Sequence, residues 1–213
     1  MPIDLPPVTR NLLIANVVIF LLQKLAGDAM IIYFALWPLG PELAVQGGGT
    51  VGFEIWQVIT YGFLHGDLTH LLFNMLALWM FGGAIERLFG SRPFLIYYVS
   101  CVVGAAIAQL IVIHFFTGGF YPTLGASGGV FGLLLAFGMM FPHQRIMLLF
   151  PPIPMPAWVF VTGYGAIELF LGVTGSHSGV AHFAHLGGMA AGFAIIQYWR
   201  GRLPIKPRRI LMR

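Results

Sequence analysis

Thr117-Gly118-Gly119-Phe120-Tyr121-Pro122-Thr123-Leu124-Gly125-Ala126-Ser127-Gly128-Gly129-Val130-Phe131-Gly132 leads from one apolar block into another. Its opening part, Thr117 to Ala126, carries glycines and a proline, a composition that suits a loop better than a helix. The block that follows, Ser127–Phe141, is apolar but short for a segment that must cross a bilayer, which takes about 20 helical residues. Irregular backbone survives at membrane depth only inside protein or beside water, because its N–H and C=O groups need partners. The stretch therefore predicts a loop that dips into a membrane protein and feeds a short helix at a wet cavity.

Outward from this point, further apolar blocks lie at Asn11–Phe34, Leu68–Arg87, Pro93–Phe116, Met155–Val173 and Val180–Arg200. The predicted fold class is an all-α membrane protein, a six-transmembrane-helix bundle with a short central fourth helix and a long interfacial first loop. Composition agrees. Only 8% of the 213 residues are charged and the mean hydropathy is +0.86, whereas a soluble domain of this size keeps far more charge on its surface. No polar linker or repeat divides the chain, so residues 1–213 read as one domain. Met1 to Arg10 lacks the basic start of a cleaved signal peptide, and the first block reads as a retained span. Cys101 is the only cysteine, which excludes an intramolecular disulfide and a cysteine-based metal cluster.

The net charge of +4 does not point to nucleic acid, because of where the charge lies. Arg200, Arg202, Lys206, Arg208, Arg209 and Arg213 form a basic tail over 200–213, the pattern of a juxtamembrane segment on a lipid bilayer. With six spans, Arg10, Arg87, Arg92, Arg145 and this tail all fall on one side. The positive-inside rule makes that side, and both termini, cytoplasmic. The long outer connection from Leu36 to about His65 carries Trp37, Trp56 and a Gly47-Gly48-Gly49 run, aromatic anchors for an interface without a fixed shape.

Polar groups inside spans are costly, so each demands a reason. His70 and Asn74 are four apart and share one helix face, from which both can donate hydrogen bonds. Interhelical glue is the bland account. A metal site from His65, His70 and another histidine lacks a carboxylate or cysteine to complete it, and neither metal nor cofactor is expected. Ser127, opening a helix, is by default an N-cap. Gly125 and Gly128 leave its hydroxyl uncrowded, and free N–H groups at a helix start are where an oxyanion is stabilised. In the sixth block Gly188 and Gly192 make a G-x-x-x-G seam that lets helices touch. His185 lies three residues before Gly188, near the same seam, so packing on the glycine face beside Ser127 would put imidazole and hydroxyl within reach. His182 is expected to make a helix-to-helix hydrogen bond. Glu168, in the fifth span, is read as structural and outside the site.

Taken together these segments resemble the rhomboid family of intramembrane proteases, over most of the chain from about Phe53 to Gly192. Phe53-Glu54-Ile55-Trp56-Gln57 looks like the end of the family's first loop, and His65, His70 and Asn74 match its second-helix pattern. Gly82-Gly83-Ala84-Ile85-Glu86-Arg87 looks like that helix's cytoplasmic end. Gly125-Ala126-Ser127-Gly128 matches the nucleophile motif, and Ala184-His185-Leu186-Gly187-Gly188 with Gly192 matches the sixth helix. The resemblance implies a compact rhomboid-like bundle and a serine endopeptidase. Ser127 would be the nucleophile and His185 the base. His70, Asn74 and the Ser127 N–H would hold the oxyanion, and His65 would brace the first loop. It also implies transmembrane protein substrates and, for so compact a form, a bacterial inner membrane. Gln57 stands where many members have arginine, which bears on the loop's packing. Phe131 stands where some have a tyrosine on the catalytic histidine, so an aromatic ring remains there without its hydroxyl. A rhomboid-like pseudoprotease that binds transmembrane partners, and a small transporter or channel, are the rival readings. The first should lack Ser127 or His185, and the second should carry internal repeats.

Overall fold

Pro7 opens the first helix where a missing N–H costs nothing, and Gly27, at φ 61°, ends it. In the computed structural model, which describes residues 5–44, 49–147, 152–175, 181–205 and 207, this helix is α1, Pro7–Ala26, and Asp28–Phe34 is a separate α2. The expected continuous segment Asn11–Phe34 is thus two helices. A positive φ turns the chain, and glycine adopts it without a Cβ penalty. The free N–H groups at the start of α1 are met from far along the chain. The Glu86 carboxylate accepts from Val8 N at 3.0 Å, Thr9 N at 2.7 Å and Thr9 Oγ1 at 2.7 Å. Ser91 Oγ adds a fourth bond at 2.7 Å. A carboxylate at a helix N-terminus satisfies orphan donors and opposes the helix dipole.

The outer connection has a definite shape. Leu36 and Thr123 exchange both backbone hydrogen bonds at 2.9 Å, which ties the first loop to the segment that precedes Ser127. Trp37 is buried and stacks on Phe120 at 5.3 Å. Leu43–Ala44 and Thr50–Val51 form a small antiparallel pair, β1 and β2. Most of the glycine run, at 47–48, lies outside the described residues. Gln57 opens the one-turn helix α3, Gln57–Thr60, and is fully buried. Its side chain accepts from Trp37 N at 3.1 Å and donates to Gly52 O at 3.1 Å. The amide therefore closes the loop upon itself.

Two helical pieces, α4 (Leu68–Ala77) and α5 (Gly83–Phe89), run on through a π turn at Leu78–Gly82. Next come α6 (Ser91–Val112), extended by a π turn to Thr117, then α7 (Ser127–Met140), α8 (Ala157–Thr174) and α9 (His182–Trp199). A second antiparallel pair, β3 (Arg145–Met147) with β4 (Pro154–Pro156), joins α7 to α8. Among the described residues four helices are long and apolar enough to cross a membrane: Pro7–Ala26, Leu68–Phe89, Ser91–Thr117 and Ala157–Thr174. The helix α7 has 14 residues and so is about 21 Å long, less than a hydrocarbon core of about 30 Å.

This short helix is the axis of the fold. It is buried from Gly128 to Gly138 except at Leu135, as an all-apolar helix without a polar face should be. Small residues let α6 and α9 close on it. A Cβ at Gly128 would strike Ala105, one at Gly132 would strike Cys101, and one at Gly188 would strike the Gly128 carbonyl. Gly192 leaves room for Tyr97, whose hydroxyl donates to Gly132 O at 2.7 Å. By contrast α8 lies at the periphery and exposes Trp158, Ile167, Phe170 and Val173. Its buried residues are Ala157, Val161 and Glu168.

Candidate active site

Asp67 caps α4 by accepting from His70 N at 2.8 Å, which sets the first turn that carries His70. Gly66 N donates to His70 Nδ1 at 3.4 Å. A ring nitrogen that accepts carries no proton, so His70 has its N–H on Nε2. That edge lies against Gly125, where a Cβ would stand 2.8 Å from Nε2 and where φ is 132°. Glycine at 125 is required on both counts. Asn74, one turn on, spends one amide N–H on His70 O at 3.0 Å. Both side chains line the same cavity as Ser127.

His65 lies behind this pair. Its backbone is gripped by the Gln23 amide, which donates to His65 O at 2.8 Å and accepts from His65 N at 3.1 Å. The ring packs edge-on against His70 at 5.0 Å. Burial pushes its pKa down to about 4, because an apolar surround disfavours the charged form. A neutral His65 thus abuts His70.

Ser127 does not cap its helix. The N-cap residue is Ala126, and the Ser127 hydroxyl stands 2.8 Å from His185 Nε2. Ser127 opens α7, and the first turn of a helix has backbone N–H groups without intrahelical partners. The His185 ring lies flat on Phe131, with centroids 4.2 Å apart and planes 7° from parallel. Phe131 is four residues after Ser127 and shares its helix face. Gly188 and Gly192 continue the stripe of α9 that begins at His185, and they bring α9 against α7 and α6. A cavity of about 1390 Å³ opens over the pair, with His70, Asn74, Ser127, Phe160, Tyr164 and His185 in its lining.

One expectation is overturned. Glu168, read from the sequence as lying outside the site, is buried in it. Its Oε2 is 2.9 Å from His185 Nδ1 and 2.7 Å from His182 Nδ1. The cause is geometric, since α8 turns the Ala157, Val161 and Glu168 face inward. The signal was present in the sequence as the one carboxylate in the interior of an apolar span, where an ionisable group marks function by default. His182 makes the helix-to-helix bond expected of it, and the partner is this same carboxylate. Glu168, His182 and His185 also offer ligand atoms within 4.8 Å of one another, the one such trio among the described residues. In the structure those atoms are engaged in hydrogen bonds with each other.

A family model of the Rhomboid domain matches residues 52–202. The chain belongs to the rhomboid family. It is similar to "Rhomboid protease GlpG" of Klebsiella pneumoniae subsp. pneumoniae, with 30% identity over 199 residues. It is equally similar to the protein of that name from Klebsiella pneumoniae (strain 342), also with 30% identity over 199 residues. Each comparison covers 89% of this rhomboid chain and 62% of the relative. The chain thus spans less than two thirds of the length of these curated relatives. The matched region includes every helix from α3 to α9.

Proposed function

We propose that this rhomboid is an intramembrane serine endopeptidase that cuts membrane-spanning segments of other proteins. The observation that carries the reading is the 2.8 Å contact between Ser127 Oγ and His185 Nε2 at the floor of a cavity between helices. A serine hydroxyl at that distance from an imidazole nitrogen is activated as a nucleophile when that nitrogen carries no proton. Ser127 attacks the scissile carbonyl while His185 takes its proton. The oxyanion is held by the Nε2–H of His70, the remaining amide N–H of Asn74 and the backbone N–H of Ser127. Collapse expels the amine, to which His185 returns the proton. A water molecule, deprotonated by the same nitrogen, then hydrolyses the acyl-enzyme. Apart from that water, every group in these steps other than the substrate is supplied by the chain itself. The name of the Klebsiella relatives points the same way.

The substrate is a transmembrane helix with small residues near the cut and helix-weakening residues beyond it. A helical backbone hides its carbonyls in hydrogen bonds, so the cut segment must unwind to lie extended over Ser127. Six segments cross the bilayer, namely the four long helices with α7 and α9. Both termini are cytoplasmic, as the Lys and Arg distribution favours, and the cavity opens towards the outer side of a bacterial inner membrane. Of the basic tail, Lys206, Arg208, Arg209 and Arg213 lie outside the described residues.

The test is cleavage of a model transmembrane substrate by the purified chain in detergent. Wild type should cut, and Ser127→Ala and His185→Ala should not. Unchanged cleavage by either variant would remove the assignment. A transporter reading would instead predict solute flux in vesicles that is indifferent to Ser127→Ala.

A further inference from the structure

A carboxylate inside a helical bundle is costly unless its partners repay the desolvation, so what Glu168 touches defines what it does. Its Oε2 faces two imidazoles, His182 Nδ1 at 2.7 Å and His185 Nδ1 at 2.9 Å. An ionised carboxylate only accepts, so both rings place their N–H on Nδ1. For His185 this leaves Nε2 bare where it meets the Ser127 hydroxyl. The other tautomer would aim an N–H at the serine and leave nothing to receive its proton.

Among the described residues no other neighbour makes that choice. Phe131 lies flat on the His185 ring and fixes its plane, but a half-turn flip about Cβ–Cγ keeps the same plane and exchanges Nδ1 for carbon. His70 lies across the cavity, on the Ser127 side. On the α6 side the chain next to His185 meets Gly104, Ala105 and Ala108, which offer no side-chain hydrogen bond. His182 shares the carboxylate instead of competing for His185, and its own Nε2 is buried with no hydrogen-bond partner among the described residues.

Resting on the protease reading above, we propose that Glu168 is a positioning residue. It holds His185 in the reactive tautomer and rotation through Nδ1, and His182 is the second donor that holds Glu168. The site is then a Ser–His–Glu arrangement assembled from α7, α9 and α8, not a bare dyad.

The test follows cleavage kinetics of a model transmembrane substrate, fluorophosphonate labelling of Ser127 and thermal unfolding, all on the full chain in detergent. Glu168→Gln keeps the shape and one carbonyl acceptor, but it removes the negative charge that both Nδ1–H donors share at Oε2 and lets an NH2 group turn towards them. It should lower kcat and the labelling rate by roughly 10²–10⁴-fold with KM unchanged. Glu168→Asp keeps the charge on a shorter arm and should fall between, recovering about tenfold or more of that loss. His182→Ala leaves the His185 bond in place and should cost less than about tenfold.

Ser127→Ala and His185→Ala serve as references. If they cleave like wild type, the protease reading fails. If they are dead while Glu168→Gln is as fast as wild type, the positioning role alone is overturned. A role as a mere staple between α8 and α9 predicts something else: Glu168→Gln and His182→Ala lose unfolding temperature and rate together, and aspartate gives no rescue. That result also overturns the proposal, as would inactivation of wild type by EDTA and its recovery with Zn²⁺, which would make the trio a metal site. Should Glu168→Gln fail to fold, Glu168→Leu, which removes the carboxylate but suits an apolar helix, decides. A kcat reduced about tenfold or more at wild-type KM supports positioning, and an unchanged kcat refutes it.

Discussion

Replacing Gly188 with alanine tests the central claim that backbone contact between α7 and α9 sets the distance at the candidate site. A Cβ at position 188 collides with the Gly128 carbonyl oxygen, and it would lie 2.8 Å from the carbonyl carbon and 3.1 Å from Gly128 Cα. No flexible side chain stands there to give way, so the helices themselves must part. Ordinary carbon contacts lie at about 3.5–4.0 Å, so α9 must retreat from α7 by about 1 Å. Gly128 adjoins Ser127, and His185 sits one turn before Gly188 on the same face. The 2.8 Å contact between Ser127 Oγ and His185 Nε2 then opens to about 3.8 Å, beyond hydrogen-bond reach. Overpacking of this kind costs about 1–3 kcal/mol, and a misplacement of about 1 Å costs about 10²-fold in rate. The assay is fluorophosphonate labelling of Ser127 beside thermal unfolding in the same detergent, with Gly163→Ala as the reference. A Cβ at Gly163 meets nothing within 4 Å, so that variant should behave as wild type. Wild-type labelling and wild-type unfolding in Gly188→Ala would refute the account of how α9 places its histidine.

Two further outcomes are expected. His70→Ala and Asn74→Ala should each slow cleavage by about 10²–10³-fold without abolishing it, since in the proposed mechanism each removes one oxyanion donor. Single-turnover rates would reveal this, and a variant with full activity would take that residue out of the oxyanion site. His65 is held to about 4 when folded against about 6.5 when unfolded. The unfolded chain therefore binds the proton first as pH falls. The stability that neutral His65 contributes at pH 7, about 3 kcal/mol, should be lost progressively between pH 6.5 and 4. Unfolding temperature measured across that window should flatten in His65→Phe, and an unchanged slope would refute this assignment.

Hydropathy located most of the helices to within two or three residues, because lipid-soluble helices must be both long and apolar. Position along a helix is legible in this way, but rotation about its axis is not. In α8 the lipid-facing and bundle-facing sides are both apolar, so no polar stripe announces which way Glu168 points. The spacing of residues along α8 nonetheless marks one face. Ala157, Val161, Gly165 and Glu168 follow one another at helical intervals, and two of them, Ala157 and Gly165, are small residues of the kind that lets one helix approach another. Gly165 faces Met189 of α9 and Val161 faces Gly138 of α7. The break at Gly27 was hidden for a related reason. Glycine is common within membrane helices, and only the backbone dihedral reveals that this one turns the chain. His70, Asn74, Ser127 and His185 stood out because each is polar where the surroundings are not, and all four line one cavity. The shape of the first loop depends on Gln57 and on the Leu36–Thr123 pairing, contacts between distant residues that no local pattern encodes.

The carboxylate that receives the first helix comes late. Glu86 lies 77 residues beyond Thr9, and a ribosome adding about 5–20 residues per second takes roughly 4–15 s to reach it. During that interval this cap is missing, and a helix formed at α1 needs other partners, such as water, for the N–H groups of Val8 and Thr9. The end of the helix must therefore stay at a wetted surface until α5 is made, because hydrocarbon would leave those groups unsatisfied. Glu86 thus acts as a latch in the order of assembly, closing the N-terminal helix onto the bundle once the second long helix is complete.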